Sequence, residues 1–225
     1  MMLPLLPWTV AGALLVGGAV VGVVTRRRRR EALEHYCLTR GYQFEAERPG
    51  AEAALADSAP TFAQGRHRRW GPTIVGRIGG SAFTAFEYSY VTGGGNNNRR
   101  HRLAVISWEL EGTTLPRFGL APENALNRLA QRFGVQDFDF TDDPAFSRSY
   151  QLQGDDEAAV RRLFTAVRRA YLTTPAPDGG QPGRHHLAGA GQRLLWWRAG
   201  RLPKVDQLDQ FFAEGDRLRR LFLES

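Results

Sequence analysis

Ala82-Phe-Thr-Ala-Phe-Glu-Tyr-Ser-Tyr-Val91 and Leu103-Ala-Val-Ile-Ser-Trp-Glu-Leu110 decide the fold of this 225-residue chain. Both runs are rich in β-branched and aromatic residues, which fit a pleated, half-buried surface. Thr92-Gly-Gly-Gly-Asn-Asn-Asn98 lies between them, and such residues tolerate the positive φ values that a turn demands. The pattern predicts a long antiparallel hairpin. Side chains alternate along a strand, so Phe86, Tyr88 and Tyr90 share one face while Phe83, Ala85 and Glu87 share the other. Ile74 to Ile78 supplies a preceding strand.

Working outward, Pro122 heads an expected amphipathic helix over Ala125, Leu126, Leu129, Ala130 and Phe133, closed by Gly134. Val135 to Phe140 alternates apolar and acidic residues and reads as a strand, as does Ser147 to Gln153. Asp155 and Asp156 open a helix expected to run to about Leu172, with Ala159, Val160, Leu163, Phe164 and Val167 inward. Pro175 to Gly183 is a loop, Leu194 to Arg198 a strand, and Leu202 to Leu223 a helix with Pro203 in its first turn. The buried stripe of that helix is Val205, Leu208, Phe211, Phe212, Leu218, Leu221 and Phe222. Tyr42 to Glu47 alternates like a strand, and residues 48–63 read as a linker or exposed loop. The fold class is therefore α+β, a mostly antiparallel sheet packed with three to four amphipathic helices.

The N-terminus is of another kind. Leu3 to Val24 carries no charge, and at about 1.5 Å per residue it reaches roughly 33 Å, enough for a hydrocarbon core about 30 Å thick. Trp8 is placed for the headgroup level, and the glycines of the run suit a membrane helix. Arg26, Arg27, Arg28, Arg29 and Arg30 follow at once. A signal peptide wants its positive charge ahead of a shorter apolar run, so the run is expected to be a transmembrane anchor. The positive-inside bias orients the N-terminus outward and the domain in the cytoplasm. Expected boundaries are an anchor over 1–25, a basic juxtamembrane helix over 26–40 and the α+β domain over 41–225.

The chain is +7 at pH 7, from 30 basic and 23 acidic residues. With the five arginines set aside, 25 basic residues face 23 acidic ones, which leaves little excess for a nucleic-acid partner. The arginine flank suits anionic lipid instead, at about 1 kcal/mol per residue near the surface. Gly18 and Gly22 form a Gly-x-x-x-Gly step on the stripe of Ala11 and Leu15, a candidate surface for helix pairing into a homodimer. The single cysteine, Cys37, excludes an intramolecular disulfide. It reads as a buried thiol, with acylation beside the membrane as the alternative.

The hairpin with its polar tip and the proline-headed helix recur beside Asp143-Pro-Ala-Phe-Ser-Arg-Ser-Tyr150 and Gly154-Asp-Asp-Glu-Ala-Ala-Val-Arg-Arg-Leu-Phe-Thr165. Together they resemble a family of uncharacterised bacterial single-pass inner-membrane proteins. The resemblance spans nearly the whole chain and implies an architecture: one N-terminal transmembrane helix, a basic flank, this domain and a closing helix. It implies a bacterial inner-membrane setting and brings no catalytic residues.

Chemistry-bearing patterns are few. Asp137, Asp139, Asp142 and Asp143 imitate a calcium loop, but Asp142 and Arg148 stand where such a loop needs glycine and a bidentate glutamate. His185 and His186 are adjacent and point to opposite faces of a strand. No nucleophile elbow occurs, and the glycine-rich tip runs into a strand rather than the helix of a phosphate loop. Arg66, Arg68 and Arg69 beside Trp70, and Arg99 to Arg102, read as loop-end arginines. Of Trp196 and Trp197, one is expected in the core and the other on the opposite face. The sequence thus calls for no metal, no cofactor and no enzymatic activity. It predicts a tethered interaction module with an unidentified protein partner; the alternatives are an anionic-lipid-surface sensor and an enzyme whose site lacks a recognisable motif.

Overall fold

A computed structural model describes residues 6–47, 55, 59–95, 97–123, 137–174 and 185–223, with residues 6–20 described by their backbone alone. Helix α1 (Leu6–Arg40) leads into strands β1 (Gln43–Glu45), β2 (Arg66–Ile78), β3 (Ser81–Thr92), β4 (Arg99–Glu109) and β5 (Leu115–Pro122), with a short helix α2 (Pro60–Ala63) ahead of β2. Then come α3 (Pro144–Ser149), β6 (Tyr150–Gly154), α4 (Glu157–Leu163), α5 (Ala166–Thr173), β7 (His186–Gly191), β8 (Arg193–Ala199) and α6 (Val205–Leu223). The eight strands form one sheet in the order β1-β2-β3-β4-β8-β7-β5-β6, and every pairing is antiparallel. The chain has an α+β fold.

The two-residue alternation along β3 sorts its side chains into two cores. Phe83 and Ala85 join Ile74, Ile106, Trp108 and Trp196 beneath α6 and the C-terminal turns of α1. Phe86, Tyr88 and Tyr90 join Trp70, Val105 and Trp197 on the opposite face. The register Phe83↔Trp108 to Thr92↔Arg99 is unbroken, as the hairpin reading requires.

Part of the expected linker covers that second face. Leu55, Ala59 and Phe62 are buried against it, and the Phe62 ring meets Tyr88 and Trp197 edge-on at 5.2 Å each. The composition of 48–63 concealed three apolar anchors among Ala, Glu and Pro.

Four further expectations are corrected. Pro122 ends β5, paired opposite Tyr150; the helix expected after it lies, beyond Glu123, outside the described residues, as does the 175–183 loop. Ser147 belongs to α3, whose N-cap Asp143 accepts from the Phe146 N–H, so the strand begins at Tyr150. Of the strand expected over 135–140, residues 135 and 136 lie outside the described residues, and among 137–140 a single bridge, Asp137 to Gln153, is formed. The helix expected from Asp155 to Leu172 breaks at Phe164, because Thr165 accepts from the Arg168 N–H and caps a new helix. The break rotates Val167 outward, where it is 75% exposed.

The tryptophan pair behaves as its alternation requires. Trp196 packs on Phe211 of α6 at 5.0 Å, and Trp197 lies beneath Phe62. Among the described residues no helix is long and apolar enough to cross a membrane. Most of the expected span falls where side chains are not described.

Candidate functional site

Helix α1 crosses two environments without interruption. Val21, Val23 and Val24 are exposed, whereas Leu33, Tyr36 and Cys37, three turns on, are buried in the first core. Their i, i+3, i+4 spacing puts all three on the sheet-facing stripe. Tyr36 Oη donates to Asp209 Oδ1 at 2.7 Å, and Arg40 pairs with the same carboxylate. Burial, with Asp209 beside it, pushes the Tyr36 phenol up; burial alone pushes the Cys37 thiol up to about 11. Gly41, at φ 70°, ends the helix and turns the chain into β1.

Between those levels the arginine run divides its work. Arg27 and Arg30 make exposed i, i+4 pairs with Glu31 and Glu34. Arg26 and Arg28 are exposed. Arg29 turns inward and donates to Glu87 Oε2 at 2.5 Å and to the Leu202 carbonyl oxygen at 3.0 Å. Glu87 was legible as the lone charge in an inward-facing row of β3, though its partner was not. Arg201 completes the junction from the other side, 3.8 Å from Glu87 Oε1.

A cleft of about 1000 Å³ opens beside this junction. Along α1 it is lined by Gly22, Thr25, Arg26, Arg29, Arg30 and Leu33. The rest of its lining is Phe44, Glu45, Glu47, Pro72, Glu87 and Arg201. Of the residues singled out in the sequence, Gly22 and three of the five arginines meet here. Trp8 and Gly18 lie among residues whose side chains are not described.

The remaining candidates are structural in their contacts. Asp142 and Asp143 hold the buried Arg169 at 2.7 and 3.1 Å, and its guanidinium lies 4.1 Å from the Phe140 ring centroid. Asp137 accepts from the Leu152 N–H. Among the described residues no three His, Cys, Asp or Glu side chains are grouped to hold a metal ion. His185 and His186 do point to opposite faces, the first toward Trp196 and the second stacked on Trp197 at 5.5 Å. Arg66 bridges the Gly93 carbonyl and the Asn98 side chain at the hairpin tip, and Arg68 reaches back to the carbonyls of Phe62 and Ala63.

Fold and cleft together define an open antiparallel sheet backed by helices, with a charged groove beneath a long N-terminal helix. No family model and no curated protein sequence matches the chain. Its fold is similar to that in the crystal structure of the mycobacterial trehalose monomycolate transport factor A, TtfA. The TM-score is 0.57, over 87% of this chain and 90% of that one, at 14% identity. At that identity the likeness is one of fold.

Proposed function

We propose that the chain is a membrane-tethered, non-enzymatic interaction module. In this reading residues 3–24 anchor it in a bacterial inner membrane, and its domain docks a protein partner on the cytoplasmic side. The family resemblance noted in the sequence belongs to the same reading. The observation that carries it is the continuity of α1. One helix of 35 residues joins the apolar run to core residues Leu33, Tyr36 and Cys37, so the domain is held at a fixed height and rotation below the anchor. A catalytic domain needs no such rigid mount; a docking surface gains from one, because preorganisation lowers the entropy lost on binding. The similar fold in a protein titled a transport factor supports an accessory role.

The test has two arms. A reporter active only in the cytoplasm, fused after Ser225, is expected to work, and neutral replacement of Arg26–Arg30 is expected to weaken or invert that orientation. The full chain, crosslinked in membranes and purified in detergent, is expected to retain one partner in fixed ratio. A two-glycine insertion between Arg30 and Glu31 should release that partner. Activity from a periplasmic reporter alone overturns the orientation; absence of any partner, or a partner indifferent to the insertion, overturns the mount.

A second reading rests on Arg26 and Arg28, exposed on the flank: the domain senses anionic lipid through these side chains. Salt-dependent attachment distinguishes it, since exposed charge attraction fades as the Debye length shortens.

A further inference from the structure

We infer that the hairpin-tip end of β2, β3 and β4 is a second membrane contact, a grid of arginines on the α1 side of the sheet that takes the phosphates of anionic phospholipids. The inference rests on the anchored reading, which supplies the bilayer, and adds to it a surface and a lipid class.

Strand register sets the grid. Residues directly opposite in an antiparallel ladder point to one face. Arg69, Ser89 and Arg102 therefore form one row across the three strands, and Arg66, Val91 and Arg100 form the next. Glu87 stands two residues before Ser89 on β3, on the same face, and Arg29 of α1 meets it there. All four arginines are exposed. Arg66 is committed to the Gly93 carbonyl and the Asn98 side chain. Arg69, Arg100 and Arg102 make no side-chain hydrogen bond or ion pair among the described residues.

A bulge brings the β2 members together. Arg66 pairs opposite Val91 and Arg69 opposite Ser89, so β2 takes three steps where β3 takes two. Residues three apart in a regular strand face opposite ways. The extra residue returns Arg69 to the face of Arg66, and His67 in this stretch takes φ 52°, a conformation uncommon outside glycine.

Composition marks the same region. Residues 58–108 hold seven arginines and one carboxylate, Glu87, which Arg29 already engages. The rest of the domain after Arg30 holds 18 basic and 22 acidic residues. Its near-neutral total conceals a basic sheet end on an acidic body. Like charges gathered on one face repel, and anions seated across both rows relieve that repulsion.

Position selects the bilayer over a soluble polyanion. Tyr36 of α1 and Phe83 of β3 share Tyr42 and Phe212 as ring neighbours, and further along Arg29 meets Glu87. Toward its N-terminus α1 thus runs the way β3 runs toward its tip. The Ser89 row is about 7 Å beyond Glu87, at roughly 3.3 Å per residue. Val24, the end of the apolar run, is about 7.5 Å beyond Arg29, at roughly 1.5 Å per residue. The first arginine row and the end of the run stand at one height, where long arginine side chains reach headgroup phosphates.

The experiment places a fluorophore at the hairpin tip of the full chain through Gly94→Cys. A Cβ there meets nothing within 4 Å, and Cys37 is buried and will not compete. The labelled chain is reconstituted in nanodiscs of phosphatidylcholine, with or without phosphatidylglycerol, each carrying a quencher on a lipid headgroup. Strong quenching is expected with phosphatidylglycerol, weak quenching without it, and loss toward 1 M salt, where the Debye length is about 3 Å. Each arginine near the surface is expected to contribute about fivefold to the docked-to-undocked ratio (about 1 kcal/mol). Arg69→Gln with Arg100→Gln and Arg102→Gln should therefore lower that ratio about a hundredfold. Arg69→Gln alone should lower it about fivefold, a readout that stands should the triple variant fold poorly. Arg77→Gln, near the other end of β2 and paired with Glu111, should leave it unchanged. Equal quenching in both discs, quenching that survives salt, or an equal response to Arg77→Gln overturns the proposal. Retention of an RNA oligonucleotide by the wild-type discs and not by the triple variant, without lipid quenching, assigns the surface to nucleic acid and overturns it too. Alkaline extraction of membranes separates the two failures. A chain that resists extraction yet shows no quenching sinks the sheet contact alone, whereas a released chain sinks the anchor and the sheet contact together.

Discussion

The Arg29 guanidinium donates to the Glu87 carboxylate across 58 residues of sequence, at 2.5 Å, and so pins the arginine flank of α1 to the middle of β3. Glu87 is largely shielded, its side chain 13% exposed, and Arg201 is its second cationic neighbour. Removing one member of a shielded pair leaves the other desolvated without full compensation. Arg29→Gln is therefore expected to destabilise the domain by about 1–3 kcal/mol. Arg27→Gln, which breaks a solvent-exposed i, i+4 pair, should cost less than about 0.5 kcal/mol. Urea midpoints in detergent compare the two; equal effects would show that the run acts as one undifferentiated charge.

Gly215 sits in α6 directly over Trp108. A Cβ there would stand 2.6 Å from Trp108 Cη2 and 2.9 Å from Ile106 Cδ1, and both rows are fully buried. Helix propensity favours Gly215→Ala by up to about 1 kcal/mol, while overpacking a filled core costs about 1–3 kcal/mol. The clash should win, lowering stability by about 1 kcal/mol net. Trp108→Phe in the same chain should recover most of it, since the Trp108 Nε1 makes no hydrogen bond that the change would lose. A more stable Gly215→Ala protein would mean that α6 can lift off the sheet at little cost.

Acid should act through His186. Its ring is stacked on Trp197, its Nδ1 has no hydrogen-bond partner, and burial pulls its pKa from 6.5 down to about 4. The unfolded chain then binds a proton between those values that the folded chain refuses. The contribution is complete above pH 6.5, falls progressively as pH drops toward 4, and changes no further below that. Allowing for partial solvent contact, the loss is about 2 kcal/mol across the window. His186→Phe should flatten that part of the pH–stability curve, and an unchanged slope would assign it to other groups.

Periodicity made the centre of the sheet legible. The β3–β4 hairpin, β8 and the α6 stripe follow directly from alternation and from 3.6-residue spacing. β5 and β7 were not legible, because Leu115-Pro-Arg-Phe-Gly-Leu-Ala-Pro122 and His186-Leu-Ala-Gly-Ala-Gly191 carry strand-breaking or small residues. Their logic is tertiary: the Phe118 ring occupies the space where a Gly189 Cβ would be, 2.4 Å away. The cleft was half legible for a similar reason. The arginines announce themselves as a run, but their division into exposed, paired and inward-turned members depends on which helix face meets Glu87. Glu45 and Glu47 belong to the segment whose alternation reads as a strand, but nothing in that alternation, or in the sequence around Arg201, places them beside the arginines of α1.

The Gly-x-x-x-Gly step acquires a second meaning from the structure. Glycines four apart on one face let two membrane helices approach closely, gaining van der Waals contact that larger side chains forfeit. Gly22, however, also lines the cleft, so pairing and the cleft draw on neighbouring parts of one stripe. Leucine variants test the pairing. With a cysteine placed at Ala11, on the same stripe, crosslinking in membranes should give a dimer, because Cys37 is buried and will not compete. Gly18→Leu and Gly22→Leu should each reduce that dimer several-fold, and together abolish it with insertion intact. A monomeric wild-type chain, or a dimer indifferent to both leucines, takes helix pairing off this face and leaves Gly22 to the cleft alone.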